Sequence, residues 1–246
     1  MTQSLKPNGL TPEVLRFGVN DVSINHEDLK NRVKKKVDET DEQFSRRITY
    51  DLAAGMAHLK WQEYDPDKYH QRVPVWENYI LYILGVLSPI PEFERYHFTN
   101  PQKSIERGIG ICGDASMTLS GLLDENKIEN KIVSMPGHVM VEAYVDKRTL
   151  LLDADFGVVL DNGIDYYKNA TGELIETFQT QLGRQGDGEL VVARGVKEGK
   201  FKHWDGTKHF VTKKYYFEKA AYLLKWLIPF FLLMVALILH VKNNKK

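Results

Sequence analysis

The chain has 246 residues, of which 43% are hydrophobic, so it can bury the core of one domain of roughly 200 residues and still carry a further segment. Its 33 basic residues are balanced by 33 acidic residues, which argues against recruitment of nucleic acid by overall charge. It contains one cysteine, so no intrachain disulfide is possible.

The N-terminal part of the chain predicts helices that serve the core. Residues 1–39 read as a polar, helical extension, in which the lysine-rich segment 26–38 has the pattern of a solvated amphipathic helix with Leu29, Val33 and Val37 on one stripe. The segment 40–43, TDEQ, has the form of a capping box. Apolar side chains follow at helical spacing: Phe44, Ile48, Leu52, Met56 and Leu59. We place the start of the main domain, residues 40–184, at this helix.

A second apolar stretch, 79–87, reads YILYILGVL and is followed by Pro89 and Pro91. Nine residues are too few to cross a bilayer as a helix. Proline shortly after an apolar run is typical of a helix end. The stretch therefore predicts a buried helix of the soluble domain.

The single cysteine, Cys112, lies in the sequence GICGDAS. Upstream, Asn100-Pro101 predicts an N-cap followed by a proline in the first turn of a short helix. Downstream, apolar residues at helical spacing predict a helix over 113–124. The sulfur then lies at a helix N-terminus, where unpaired amides and the helix dipole favour negative charge. Taken alone, a cysteine in this position is more often a small buried apolar residue than a nucleophile.

Two alternating segments follow, 138–145 and 150–156, joined by a polar turn. In a regular hairpin whose loop has an even number of residues, the sequence numbers of two paired residues add up to an odd number. Even-numbered residues of the first strand therefore pair with odd-numbered residues of the second, and paired side chains lie on the same face. His138 thus shares a face with Asp153 and Asp155. The remaining face is apolar, which predicts a hairpin with one buried face and one active-site face. Either aspartate can serve the imidazole, and Asp153 is preferred because it lies deeper in the strand.

Cys112, His138 and Asp153 are therefore candidates for a catalytic triad. An unassisted thiol is mostly protonated at neutral pH, and an imidazole held by a carboxylate converts it into a thiolate–imidazolium pair. The competing interpretation of His138 is a satisfied histidine on a half-buried strand. One cysteine and scattered histidines give no usual metal-ligand spacing, so we expect no metal and no cofactor. The other histidines show no comparable setting: His58, His70, His97, His203, His209 and His240.

The C-terminal part changes character. Residues 185–215 are glycine-rich and predict strands and turns that connect the domain to the membrane, or a lid. Residues 220–241 form an apolar run of about the length that spans a bilayer as a helix, with Tyr222 and Trp226 on its entry side. A basic tail, 242–246, follows.

The orientation of this predicted span is weakly specified. Lysines flank both ends, so the positive-inside rule gives only a slight preference for a cytoplasmic domain. The polar start of the chain shows no cleavable signal peptide and points the same way. We expect a C-terminally anchored, single-pass membrane protein with its catalytic domain in the cytoplasm.

The order GxCG-D-x-S, GHVMVEAYV and LLLDADFGV over 76–159 resembles the transglutaminase-like domain of papain-like cysteine enzymes, which include proteases, peptide N-glycanases and acyl transferases. The resemblance implies an α+β fold with the cysteine helix packed against an antiparallel sheet. It also implies Cys112 as nucleophile, His138 as general base and acid, and Asp153 as the residue that orients the imidazole. Met140 stands where many members have tryptophan, which argues against calcium-dependent protein crosslinking.

The implied chemistry is acyl transfer or hydrolysis of an amide or ester through a thioester. The oxyanion would be bound by the Cys112 amide and one side-chain donor, for which Gln102 and Trp76 are candidates by position. A surface role for Gln102 and a core role for Trp76 are the simpler interpretations.

The whole layout also resembles bacterial membrane-anchored transglutaminase-like proteins of polysaccharide gene clusters. This resemblance implies possible partners among membrane polysaccharide-assembly proteins. The alternative to an enzyme is a catalytically silent scaffold that binds such a partner.

Overall fold

The structure is a computed structural model that describes residues 3–15 and 23–244. Residues 1–2, 16–22 and 245–246, which include parts of the predicted extension and basic tail, lie outside the described residues. The helices are α1 (His26–Arg32), α2 (Asp41–Gly55), α3 (Tyr79–Leu87), α4 (Pro91–Glu94), α5 (Pro101–Arg107), α6 (Cys112–Glu125), α7 (Ile164–Tyr167), α8 (Thr171–Leu182), α9 (Asp187–Lys197), α10 (Gly206–Phe210) and α11 (Thr212–Asn243). The strands are β1 (Ala57–His58), β2 (Ile109–Gly110), β3 (Asn130–Met135), β4 (His138–Val145), β5 (Arg148–Asp153), β6 (Val158–Leu160) and β7 (Lys202–Trp204).

The predicted fold class is confirmed. A five-stranded antiparallel sheet runs in the order β6-β5-β4-β3-β7, and α6 packs against it with Cys112 at its start. Strands β1 and β2 form a separate parallel pair. The long apolar helix α11 follows the domain.

Both faces of the sheet are buried. On one face, side chains of α2 and α6 pack against Val141 and Leu152. On the other, side chains of α8 and α9 pack against Met140 and Leu151. The prediction of a hairpin with one buried face and one active-site face is therefore wrong for most of its length. The physical reason is that α8 and α9 come from residues after the hairpin and supply a second apolar layer.

Local sequence signals set the helix boundaries as predicted. Thr40 caps α2, with its side chain accepting from the Gln43 amide and the Gln43 side chain accepting from the Thr40 amide. Asn100 caps α5 by accepting from the Gln102 amide. The predicted stripe of α2 runs too far, because the helix ends at Gly55 and Leu59 lies beyond β1.

The segment 185–215 differs from the predicted strands and turns. It contains the helices α9 and α10, the edge strand β7 and the first residues of α11. Val192 and Val196 of α9 are buried against the sheet. Apolar spacing within 190–196 therefore outweighs the glycines, and the segment is part of the domain core.

Helix α3 has the predicted bounds but not the predicted burial. Of its nine residues, only Leu81 and Gly85 are buried. Its outer side presents apolar side chains on the surface. In the N-terminal extension, two residues of the predicted solvated helix are more buried than expected. Leu29 and Val33 join the main core, while Val37 is fully exposed.

Helix α11 is long and apolar enough to cross a membrane. It has 32 residues, and its most apolar window has a mean hydropathy of 2.3 and no buried residues. Its first turns are built into the domain. The buried Glu218 carboxylate accepts from the backbone amides of Thr99 and Asn100, each at 2.9 Å, and Ala221 packs beside Leu81.

Candidate active site

The β1–β2 pair positions the cysteine. Gly110 lies opposite His58 in the parallel register, and α6 starts two residues later at Cys112. A Cβ atom on Gly110 would lie 2.6 Å from the Asp114 Cβ, so glycine is required there by packing. A Cβ on Gly113 would meet no atom within 4 Å. The space beside the cysteine is therefore open on the Gly113 side.

The hairpin positions the other two residues. His138 is the first residue of β4, directly after Gly137, whose φ of 83° suits glycine. Asp153 is the last residue of β5. Residues 146 and 147 both have positive φ, as a two-residue type I′ turn requires. Because Val141 pairs with Leu152, the paired numbers sum to an odd value as predicted. His138 and Asp153 thus lie on one face at the same end of the sheet.

His138 and Asp153 form a buried pair. The His138 Nε2 lies 2.7 Å from Asp153 Oδ2. The other carboxylate oxygen, Oδ1, accepts from the backbone amides of Asp155 and Phe156, each at 3.0 Å. Both side chains are buried, so these bonds fix the carboxylate and the plane of the imidazole.

Cys112 completes the group. Its side chain, which is neither buried nor fully exposed, interacts with the imidazole of His138. Since Nε2 is held by Asp153, the nitrogen left for the thiol is Nδ1. Burial alone lowers the pKa of His138, but the charge and hydrogen bond of Asp153, the Cys112 bond and the charge of Asp155 together raise it well above the ordinary value. The raised pKa of His138 favours the cationic form of its imidazole.

A family model described as a transglutaminase-like domain matches residues 23–181. The chain belongs to this family. The match begins within the predicted N-terminal extension and extends well beyond the motifs of 76–159, so the transglutaminase-like domain includes α1. No curated protein matches the chain significantly.

The second aspartate of the transglutaminase-like domain serves another histidine. Asp155 Oδ1 lies 3.3 Å from His58 Nε2, and both side chains are buried. In the structure, the aspartate that contacts His138 is therefore Asp153 and not Asp155. The expectation that the other histidines have no comparable setting is wrong, because His58 arrives on β1, far from the hairpin in sequence.

The first turn of α6 contains a third pair that the sequence interpretation missed. Asp114 Oδ2 lies 2.7 Å from His97 Nδ1, and its Oδ1 accepts from the fully buried Arg107 at 3.3 Å. Burial by itself raises the pKa of Asp114, but His97, Arg107 and the Ile111 amide outweigh it and lower the pKa. An aspartate two residues after the cysteine is the sequence signal that could have found this pair. A further pair, His203 with Glu142 at 2.9 Å, lies elsewhere on the sheet.

The segment before and within α9 forms a wall of the site. The Phe156 ring lies 5.6 Å from the His138 ring, and the Arg184 guanidinium lies over Phe156 at 6.0 Å. A Cβ on Gly188 would lie 2.5 Å from the Phe156 ring. The ring is therefore clamped between the imidazole and the start of α9.

The two candidate oxyanion donors lie elsewhere. Gln102 donates to Glu125 at 3.3 Å, at the opposite end of α6 from Cys112. Trp76 is partly exposed and packs edge-on against His70. In the described residues, no group of three or more His, Cys, Asp or Glu side chains is arranged to hold a metal ion.

Proposed function

We propose that the chain is a cysteine enzyme that hydrolyses or transfers an acyl group through Cys112, His138 and Asp153. The observation that carries the proposal is the buried His138–Asp153 pair, joined at 2.7 Å, whose imidazole also interacts with Cys112. The raised pKa of His138 supports a thiolate–imidazolium pair at neutral pH. Membership of a family of cysteine enzymes supports the same assignment.

The proposed reaction has two steps. The Cys112 thiolate attacks the carbonyl carbon of an amide or ester, and the tetrahedral intermediate expels its amine or alcohol, which takes a proton from His138. The resulting thioester is attacked by water or an amine, which gives its proton to His138. The acyl group leaves as an acid or a new amide, and the thiolate–imidazolium pair is restored. Asp153 holds the imidazole in place throughout.

The start of α6 supports stabilisation of the oxyanion. The first hydrogen bond of α6 runs from the Ala115 amide to the Ile111 carbonyl, so the amides of Cys112 and Gly113 precede the helical ladder. Unpaired amides at a helix start stabilise negative charge on a nearby oxygen. The open space beside Gly113 leaves room for the substrate carbonyl.

We further propose that α11 spans a membrane and that the catalytic domain lies on the cytoplasmic side. The length and hydropathy of α11 support the span. Lys208, Lys213, Lys214 and Lys219 before the span support the orientation. The resemblance to proteins of polysaccharide gene clusters makes membrane-bound polysaccharide-assembly proteins the proposed partners.

Selective alkylation tests the catalytic assignment, because the chain has one thiol. We expect iodoacetamide to modify Cys112 in the folded, detergent-solubilised chain at neutral pH, and His138→Ala to slow this reaction strongly. His209→Ala, which removes an exposed imidazole on α10, should leave the rate unchanged. Modification only after denaturation would contradict the proposal.

A genetic replacement separates an enzyme from the silent scaffold. Cys112→Ser removes the nucleophile and changes little volume. Loss of cellular function in this variant, at unchanged protein level, supports catalysis. Retained function would instead identify the domain as a scaffold.

A further inference from the structure

The outward side of α3 is an apolar stripe. Ile83, Val86 and Leu87 recur at the spacing of one helical face of α3, and Ile90 follows them in the short connection to α4. Their exposed fractions are 47%, 50%, 76% and 48%. We call these four residues the α3 stripe. Soluble proteins seldom leave contiguous apolar groups on the surface, and such patches mark contacts with another apolar phase or partner.

The start of α3 is fastened to α11 where the proposed span begins. Lys225 donates to the Glu77 carbonyl at 2.8 Å, and the Tyr222 hydroxyl donates to a Glu77 carboxylate oxygen at 2.7 Å. Ala221 packs in the same cluster as Leu81 of α3. Glu77, two residues before the start of α3, therefore lies beside residues 222–225 of α11.

That level coincides with the edge of the hydrocarbon layer. The apolar run ends at Val241, just before Lys242. Counted back from Val241, a helix that begins at Trp226 rises about 24 Å at 1.5 Å per residue, which is less than the roughly 30 Å of a hydrocarbon core. The hydrocarbon must therefore begin before Trp226, among the residues that contact Glu77 and α3. The contacts that dock α11 on the domain thus bring the start of α3 to the membrane interface.

The charges around α3 are consistent with this location. The Glu77 carboxylate is matched by Lys103 at 3.1 Å and by Lys225 at 3.9 Å. The stripe ends at Pro91, where α4 brings the acidic side chains Glu92 and Glu94. Trp76, an amphipathic aromatic residue of the type enriched at membrane interfaces, is partly exposed just before α3.

We propose that the α3 stripe inserts into the interfacial layer of the same bilayer that α11 spans. The occupant of this surface is lipid, at the boundary between headgroups and acyl chains, as for an interfacial amphipathic helix. The inference rests on the proposed span. It adds a second membrane contact, which fixes the tilt and rotation of the domain about α11.

Spin-label accessibility tests the insertion in the full chain. The background is Cys112→Ser, so that each variant carries one thiol, and the protein is placed in nanodiscs of phosphatidylcholine and phosphatidylglycerol. Labels are attached at Leu87→Cys, at Phe231→Cys in the proposed span, and at Val37→Cys, which is apolar, fully exposed and distant in sequence. Accessibility is measured to oxygen, which concentrates in lipid, and to a nickel chelate, which stays in water.

We expect the Leu87 label to be several-fold more accessible to oxygen than to the chelate. The ratio of oxygen to chelate accessibility should be higher still for the Phe231 label. The Val37 label should be more accessible to the chelate than to oxygen. A Leu87 label that behaves like the Val37 label, while Phe231 reports lipid, overturns the insertion and leaves the span intact. A Leu87 label shielded from both reagents means that protein covers the stripe, which also overturns the proposal. If Phe231 is open to the chelate, the span is wrong and the insertion falls with it.

Discussion

Replacement of Asp153 by asparagine should slow alkylation of Cys112 at neutral pH. The asparagine carbonyl can keep the two backbone hydrogen bonds that Asp153 Oδ1 accepts from Asp155 and Phe156. Its NH₂ group then faces His138 Nε2 and donates where the carboxylate accepted. A neutral imidazole must in that case carry its proton on Nδ1, the nitrogen that faces the thiol, so it can no longer accept the thiol proton.

The size of the effect follows from the bond that is lost. A buried hydrogen bond to a charged group contributes about 1.5–3 kcal/mol. Since about 1.4 kcal/mol corresponds to a factor of ten, the population of the ion pair should fall by about 10- to 150-fold. The second-order rate of iodoacetamide alkylation, measured as a function of pH on the detergent-solubilised chain, reports this population.

The control is Asp161→Asn, an exposed aspartate that pairs with Arg46 on the surface. Exposed ion pairs contribute little, so its alkylation profile should match that of the unmodified chain. If Asp153→Asn also matches the unmodified chain in rate and pH profile, the imidazole does not depend on Asp153, and the reasoning fails.

Three further predictions concern stability. Asp114→Ala leaves the fully buried Arg107 without its carboxylate partner. It should lower the free energy of unfolding, measured with denaturant, by about 3–5 kcal/mol. Because the pKa of Asp114 is lowered in the folded chain, the difference between the variant and the unmodified chain should be present at neutral pH and should disappear as the pH falls through that lowered pKa. Gly110→Ala forces a Cβ against Asp114 and should destabilise by about 1–3 kcal/mol, whereas Gly113→Ala in the first turn of α6 should be nearly neutral. Equal effects of the two substitutions on the melting temperature would contradict this assignment. Glu218→Ala leaves the buried amide of Thr99, and the amide of Asn100 beside it, without their acceptor. It should cost about 1–3 kcal/mol, seen as a lower melting temperature in detergent, with Glu198→Ala at the exposed end of α9 as the neutral control.

The parts of the site that depend on local pattern were predictable. The parity of the hairpin follows from side-chain alternation and an even turn, so the shared face of His138 and Asp153 did not require knowledge of the fold. The helix predicted over 113–124 followed in the same way from apolar spacing, and α6 begins one residue earlier, at Cys112. Each of these inferences uses residues within about twenty positions of one another.

The parts that depend on distant segments were not predictable. His58 reaches Asp155 only because β1 pairs with β2, and two-residue strands leave almost no periodic signal. The cover of the second sheet face comes from α8 and α9, and the glycines in and around α9 favoured strands and turns there. The exposure of the α3 stripe was missed because an apolar run does not reveal whether protein or lipid lies against it.

The continuity of α11 limits where a membrane-bound substrate can be cut or joined. One helix runs from the domain into the proposed span, so the domain has no flexible stalk on which to tumble. Lys214, in the first turns of α11, lies over the ring of Tyr96, whose carbonyl accepts from Arg107 behind Asp114. These contacts connect the first turns of α11 to the first turn of α6, which begins at Cys112. Given the proposed span, this continuous connection would fix the height of Cys112 relative to the bilayer, and a substrate anchored in the same bilayer would reach it by diffusion in the plane of the membrane.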